Sequence, residues 1–108
     1  MGAIDISMLR DTSFWRAAFL EFLGTAIFLF LVTTVLIPTV EIAKVSFAIG
    51  LSIAVLAHVF GPITGGHFNP AVTLGAVVMG ACGVIEGFVY VVVQIIGGEK
   101  HNQCVINV

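Results

Sequence analysis

The stretch Gly61 to Gly75, GPITGGHFNPAVTLG, decides the architecture. Its first part, Gly61–Asn69, lies between two apolar runs, Val45–Phe60 and Pro70–Gly98, so it is too short and too closely flanked to be a large external domain. Asn69–Pro70 reads as a helix start: Asn suits the cap position, and Pro suits the first helical position, where no amide hydrogen is missed. Gly75, Gly80 and Gly83 interrupt what hydropathy alone would take for one long span, and Gly80-Ala81-Cys82-Gly83 reads as a turn. The helix beginning at Pro70 therefore ends near Met79. At about 10 residues it rises roughly 15 Å, half of a hydrocarbon core of about 30 Å. Gly61–Asn69 is a loop at membrane depth, tolerated only where it lines a water-filled cavity or is covered by protein. A half-helix starting at mid-membrane turns free amide donors and partial positive charge toward that cavity. This is channel or transporter architecture.

Composition demands a membrane. Of 108 residues 59% are hydrophobic and only 9% charged, against about 25% charged in soluble domains. A net charge of −2 with four Lys and Arg excludes the clustered basic surface of a nucleic-acid binder. Two cysteines, Cys82 and Cys104, make no disulfide framework. The first apolar run, Ala17 to Ile37, covers about 21 residues, enough to cross. It is longer than a signal-peptide core and ends in Pro38 without a small-residue cleavage pattern. The second run, 45–60, ends at the breaker pair Gly61–Pro62. A third helix starts at Val84, with Gly83 and Gly87 spaced for close packing. It fails by Gly98, because residues 99–108 form a polar tail. The expected fold is an all-α membrane protein: residues 1–16 as an N-terminal segment, spans at 17–37 and 45–60, a re-entrant loop at 61–69, a half-helix at 70–79 and a shortened third span at 84–98.

Two polar residues inside the spans carry alternatives. Glu21 can reach the interface from near a helix end, or it can be a buried acceptor that holds a polar loop. Intramembrane acids default to function, which favours the second. Ser46, Gly50, Ala54 and His58 recur every fourth residue and form one small face suited to close helix packing. His58 on it reads as hydrogen-bonded between helices before it reads as a cavity lining. His58, His67 and Cys82 are too scattered for a metal site, no nucleophile–base pair is evident, and no cofactor or enzymatic step is expected.

GGHFNPAVTLG (Gly65–Gly75) resembles the first Asn-Pro-Ala loop of the aquaporin, or major intrinsic protein, family. FWRAAFLEFLGT (Phe14–Thr25) and KVSFAIGLSIAVLAH (Lys44–His58) resemble its first and second helices, in family order. The resemblance implies a pathway made by two inverted repeats, each with three spans and a half-helix. Asn69 would donate its side-chain amide to the permeant, while Pro70 and Ala71 hold the turn against its partner. Gly65, Gly66 and His67 would present backbone carbonyls along the pore, and Glu21 would anchor the loop. Ile49 takes the helix-two position where strictly water-selective members usually carry Phe, which implies a wider or less polar constriction. Water or small neutral solutes would be the permeants, and tetrameric assembly in the plasma membrane follows the family pattern. Arg10 and Arg16 before the first span, against Lys44 after it, favour a cytoplasmic N-terminus.

Family members have about twice this length, and here a second Asn-Pro-Ala loop and the arginine that follows it are missing. The tail GEKHNQCVINV after Gly97 departs from the family pattern and reads as an alternative exon end or a frameshift. One half-helix without its inverted partner leaves polar backbone groups unmet in lipid, so the chain as a monomer is expected to form no pore. The leading reading is a channel subunit for water or small neutral solutes. The alternatives are a non-conducting form that pairs with full-length aquaporins, and a membrane-anchored structural peptide with a vestigial loop.

Overall fold

Many large apolar side chains face outward among the described residues, and half of the buried side chains are polar, unlike a water-soluble domain. The computed structural model describes residues 6–36 and 41–106. Among them Phe19, Phe30, Phe47, Leu51, Val55, Leu74 and Phe88 are exposed, whereas Glu21, Thr25, Ser52, Thr64, Thr73, Gln94 and His101 are buried. Lipid is the solvent that rewards such a distribution, provided each buried polar group finds a partner. Among the described residues none of the buried side-chain polar atoms lacks a hydrogen bond.

A short 3-10 turn (Ile6–Arg10) precedes four helices: α1 (Thr12–Leu36), α2 (Ile42–Thr64), α3 (Pro70–Val78) and α4 (Val84–Ile106). No strand occurs among the described residues. α1 packs against both α2 and α4, and α3 packs against α4. Helices α1 and α2 have the length and apolarity needed to cross a membrane. α3 has 9 residues, hence a rise of about 14 Å. Asp11 starts α1 by accepting from the Ser13 amide at 3.0 Å, so the helix begins several residues before the apolar run does. Ile37 and Pro38, where the sequence reading ends the first span, lie outside the described residues, as do residues 1–5 and 107–108.

Two helices run farther than expected. α2 continues past Phe60 and the Gly61–Pro62 pair to Thr64, with Pro62 inside its last turn. A proline there removes one ladder bond without ending the helix. Closure comes from Gly65, whose φ of 91° is left-handed backbone that glycine adopts without penalty and whose amide donates to the Gly61 carbonyl at 2.8 Å. α4 continues through the polar stretch 99–103 to Ile106. Nothing in that stretch breaks a helix, and it finds a tertiary partner. His101 is buried, with its Nε2 3.0 Å from the Thr33 hydroxyl on α1 and its ring edge-on to Phe30.

The small face of α2 is not used in packing among the described residues of this chain. Ser46, Gly50, Ala54 and His58 are exposed, and a Cβ at Gly50 would meet nothing within 4 Å. Ser52 and Leu56 are the buried residues of this stretch instead, and His58 takes no hydrogen bond from another helix of this chain among the described residues. Close packing occurs elsewhere. A Cβ on Gly24 of α1 would overlap the Phe68 ring, and one on Gly97 of α4 would sit 2.7 Å from the Phe22 carbonyl oxygen.

Candidate functional site: a loop held on a buried carboxyl group

The segment between α2 and α3 is five residues of irregular backbone inside a helical bundle. Irregular backbone carries donors and acceptors that no helix satisfies, so each must be traced. Gly66 donates to Thr64 Oγ1 at 2.9 Å. The amides of His67 and Phe68 donate to Glu21 Oε1 and Oε2, at 3.1 and 2.7 Å. Glu21 is 0% exposed. Its third donor is Gln94 Nε2 on α4, at 2.9 Å. A single carboxyl group thus ties α1 to both the loop and α4.

Gln94 extends the network. Its amide nitrogen also donates to Thr73 Oγ1 at 2.9 Å, and the Thr73 hydroxyl lies 3.0 Å from His67 Nδ1. Thr73 is fully buried on α3, so the half-helix joins the same cluster. Tyr90, one turn before Gln94 on α4, donates its hydroxyl to the Thr64 carbonyl at 2.8 Å and stacks edge-on against the His67 ring. Phe68 has φ 53°, left-handed backbone that is uncommon for a non-glycine residue. Its ring is buried between Gly24 and an edge contact with Phe60. The strained backbone is therefore held by packing on one side and by Glu21 on the other.

The polar groups that remain are gathered at one place. Asn69 caps α3, its Oδ1 accepting from the Ala71 amide at 2.8 Å, with Pro70 in the first turn. That bond fixes the side-chain amide, so its NH2 faces away from the helix. Asn69 is exposed, and its NH2 donates to no other group among the described residues. The carbonyls of Gly65, Gly66 and His67 likewise accept no hydrogen bond from the described residues. Three consecutive acceptors and one oriented donor are thus left unmet beside the positive end of a helix. Ala71 is exposed next to them. Ile49 stands apart: it is exposed on α2, about 24 Å of helix rise before Gly65. Gln94, Thr73 and Tyr90 escaped the sequence reading. A signal was present, because Glu86, Tyr90 and Gln94 are polar residues at every fourth position of an apolar run.

Cys82, in the turn between α3 and α4, is buried and free. Burial, assisted by the nearby Glu86, pushes its thiol up to about 11. With Cys104 replaced by Ser, maleimide labelling at neutral pH should run about a hundred-fold slower than for an unburied thiol. Its rate should rise about tenfold per pH unit through pH 9, and a plateau before that pH would contradict the burial.

The family model described as "Major intrinsic protein" matches residues 8–104. Human Aquaporin-5 is 40% identical over 93 residues, 81% of this chain and 34% of that protein. Glycerol uptake facilitator protein-like 6 of Lactiplantibacillus plantarum is 44% identical over 78 residues, 71% of this chain and 36% of that protein. Lens fiber major intrinsic protein of Mus musculus is 34% identical over 93 residues, 82% of this chain and 35% of that protein. The chain therefore spans about a third of the length of these curated relatives. A match across the loop, the half-helix and the three helices that hold them makes this membrane protein a member of the major intrinsic protein family.

Proposed function

We propose that the chain supplies one half of a transmembrane pathway for water and small neutral solutes such as glycerol. The observation that carries this reading is the set of unmet groups at the loop: the Gly65, Gly66 and His67 carbonyls and the Asn69 amide. A permeating molecule that leaves bulk water needs a few donors and acceptors on an otherwise apolar wall. Asn69 donates, the three carbonyls accept, Pro70 and Ala71 form the turn, and Glu21 anchors the loop from α1. The positive end of α3 disfavours protons and cations at the same place. Ile49 lines a constriction wider than Phe would leave. The relatives' printed names include both aquaporins and a glycerol facilitator, in keeping with either permeant. The N-terminus is cytoplasmic, the membrane is the plasma membrane, and the assembly is a tetramer of aquaporin-type subunits.

The pathway needs an inverted second half. Reconstituted alone as a monomer, the chain should leave vesicles as impermeable as empty ones. Co-reconstituted with the C-terminal half of a longer relative, it should raise osmotic water permeability several-fold above either half. Asn69→Asp retains a capping oxygen but has no NH2 to donate. It should return permeability to the baseline, erasing the several-fold gain measured by stopped-flow light scattering. Flux from the two halves together no greater than from the C-terminal half alone, or full flux in Asn69→Asp, would rule the reading out.

A second reading, association with longer relatives without conduction of its own, is favoured by the exposed face Ser46, Gly50, Ala54 and His58 on α2. Small residues there permit close approach of another helix. Co-purification with a full-length relative, together with a fall in that relative's flux, distinguishes it from the first.

A further inference from the structure

The N-terminal end of α1 gathers features that neither conduction nor loop anchoring uses. The 3-10 turn at Ile6–Arg10 is tied to α1 by Trp15, whose indole Nε1–H donates to the Leu9 carbonyl at 2.7 Å. The indole also packs edge-on against Phe14, with ring centroids 5.2 Å apart. It is thus held in place while 49% exposed. Phe19, four residues along the same face, is 58% exposed and lies against Phe22. The face therefore runs from an oriented indole at the helix start to apolar rings deeper along α1, the arrangement of an aromatic belt at a membrane interface.

Two cations flank the indole. Arg10 and Arg16 are both exposed, and neither forms an ion pair among the described residues. No acid lies within the first turn of α1, and the positive helix end is met by the Asp11 carboxylate, which leaves the two guanidinium groups to face outward. The acids at this end of the bundle are differently engaged. Asp11 accepts from the Ser13 amide. Glu86 is half-buried in the first turn of α4, close enough to Cys82 to raise its thiol. The outward surface thus sets two guanidinium groups that form no ion pair among the described residues beside a fixed amphipathic ring, with the exposed Asp11 bound to a backbone amide. Guanidinium groups bind phosphate through paired N–H donors.

We propose that Arg10, Arg16 and the Trp15 indole form an anchoring surface for the phosphate headgroup of an anionic phospholipid. The lipid's acyl chains lie along Phe19, and its negative charge compensates the two arginines. This surface rests on membrane insertion of α1 and is independent of conduction by the loop.

Trp15 is the single tryptophan of the chain, so its fluorescence reports this surface alone. The whole chain is reconstituted in mixed phosphatidylcholine and phosphatidylglycerol vesicles, with brominated acyl chains on one lipid or the other. Brominated phosphatidylglycerol should quench Trp15 as if bound about five-fold more strongly than phosphatidylcholine at low salt. The preference should shrink at about 0.5 M salt. It should fall to near unity in Arg10→Gln/Arg16→Gln while quenching by brominated phosphatidylcholine stays unchanged, which shows that the indole keeps its depth. Arg10→Lys/Arg16→Lys should restore most of the preference. Equal quenching by the two lipids in the unaltered chain would overturn the proposal, as would a preference that survives Arg10→Gln/Arg16→Gln. Abolition of the preference by inorganic phosphate at matched ionic strength would assign the arginines to a free anion and overturn it as well.

Discussion

Glu21→Ala should release the loop from the bundle. Three donors converge on the Glu21 carboxyl group: the His67 and Phe68 amides and Gln94 Nε2. The site is 0% exposed, so water cannot replace the lost acceptor without a rearrangement. A buried donor left unmet costs about 1–3 kcal/mol. The two backbone amides cannot turn away without moving Phe68, whose ring is wedged against Gly24. A combined loss of about 3 kcal/mol corresponds to a factor of about 150 in a local opening equilibrium. Hydrogen exchange at the His67 and Phe68 amides, measured for both chains in one detergent micelle, should therefore accelerate by about two orders of magnitude. Exchange in the outer turns of α1 should change little. Glu21→Gln keeps one acceptor oxygen but turns an NH2 toward a donor, so its effect should fall between the unaltered chain and Glu21→Ala. Unchanged exchange in Glu21→Ala would show that the loop is held by packing alone.

The extent to which the sequence exposes this arrangement follows from how each contact is encoded. Glu21 stands out because an acid within an apolar run has few tolerable places. Asn69–Pro70 stands out because capping is local and needs only neighbouring residues. Gln94 and Thr73 are different. Their importance comes from meeting each other and Glu21 across three helices, and a threonine in the first turns of a helix has no local mark of that. The every-fourth-residue pattern Glu86, Tyr90, Gln94 was visible but says only that one face of α4 is polar. In lipid, periodicity separates the two faces of a helix without saying which one turns inward. The small face of α2 is thus legible as a face, while the burial within this chain falls on Ser52 and Leu56. The length of α4 was hidden for the opposite reason. Residues 99–103 look like a solvated tail, and the seating of His101 against Thr33 and Phe30 gives the helix past Gly98 a tertiary partner that no local pattern marks.

Gly97 tests whether the closeness of α1 and α4 is what lets the buried network form. A Cβ at this position would lie 2.7 Å from the Phe22 carbonyl oxygen and 3.5 Å from its carbonyl carbon. Both belong to the α1 backbone, so no side-chain rotation relieves the overlap, and the helices must separate by several tenths of an ångström. Phe22 adjoins Glu21, and Gln94 lies one turn before Gly97 on α4. The displacement therefore acts directly on the 2.9 Å bond from Gln94 to Glu21. Overpacking of this kind costs about 1–3 kcal/mol, so Gly97→Ala should lower the stability of the folded bundle by that amount in micelles. Gly97→Leu should prevent the native packing of α4. Gly50 supplies the contrast, since a Cβ there meets nothing within 4 Å. Gly50→Ala should be neutral or raise stability by up to about 1 kcal/mol through helix propensity. If thermal unfolding finds the two alanine variants equally stable, then α1 and α4 do not approach at Gly97 as closely as their hydrogen bonds require.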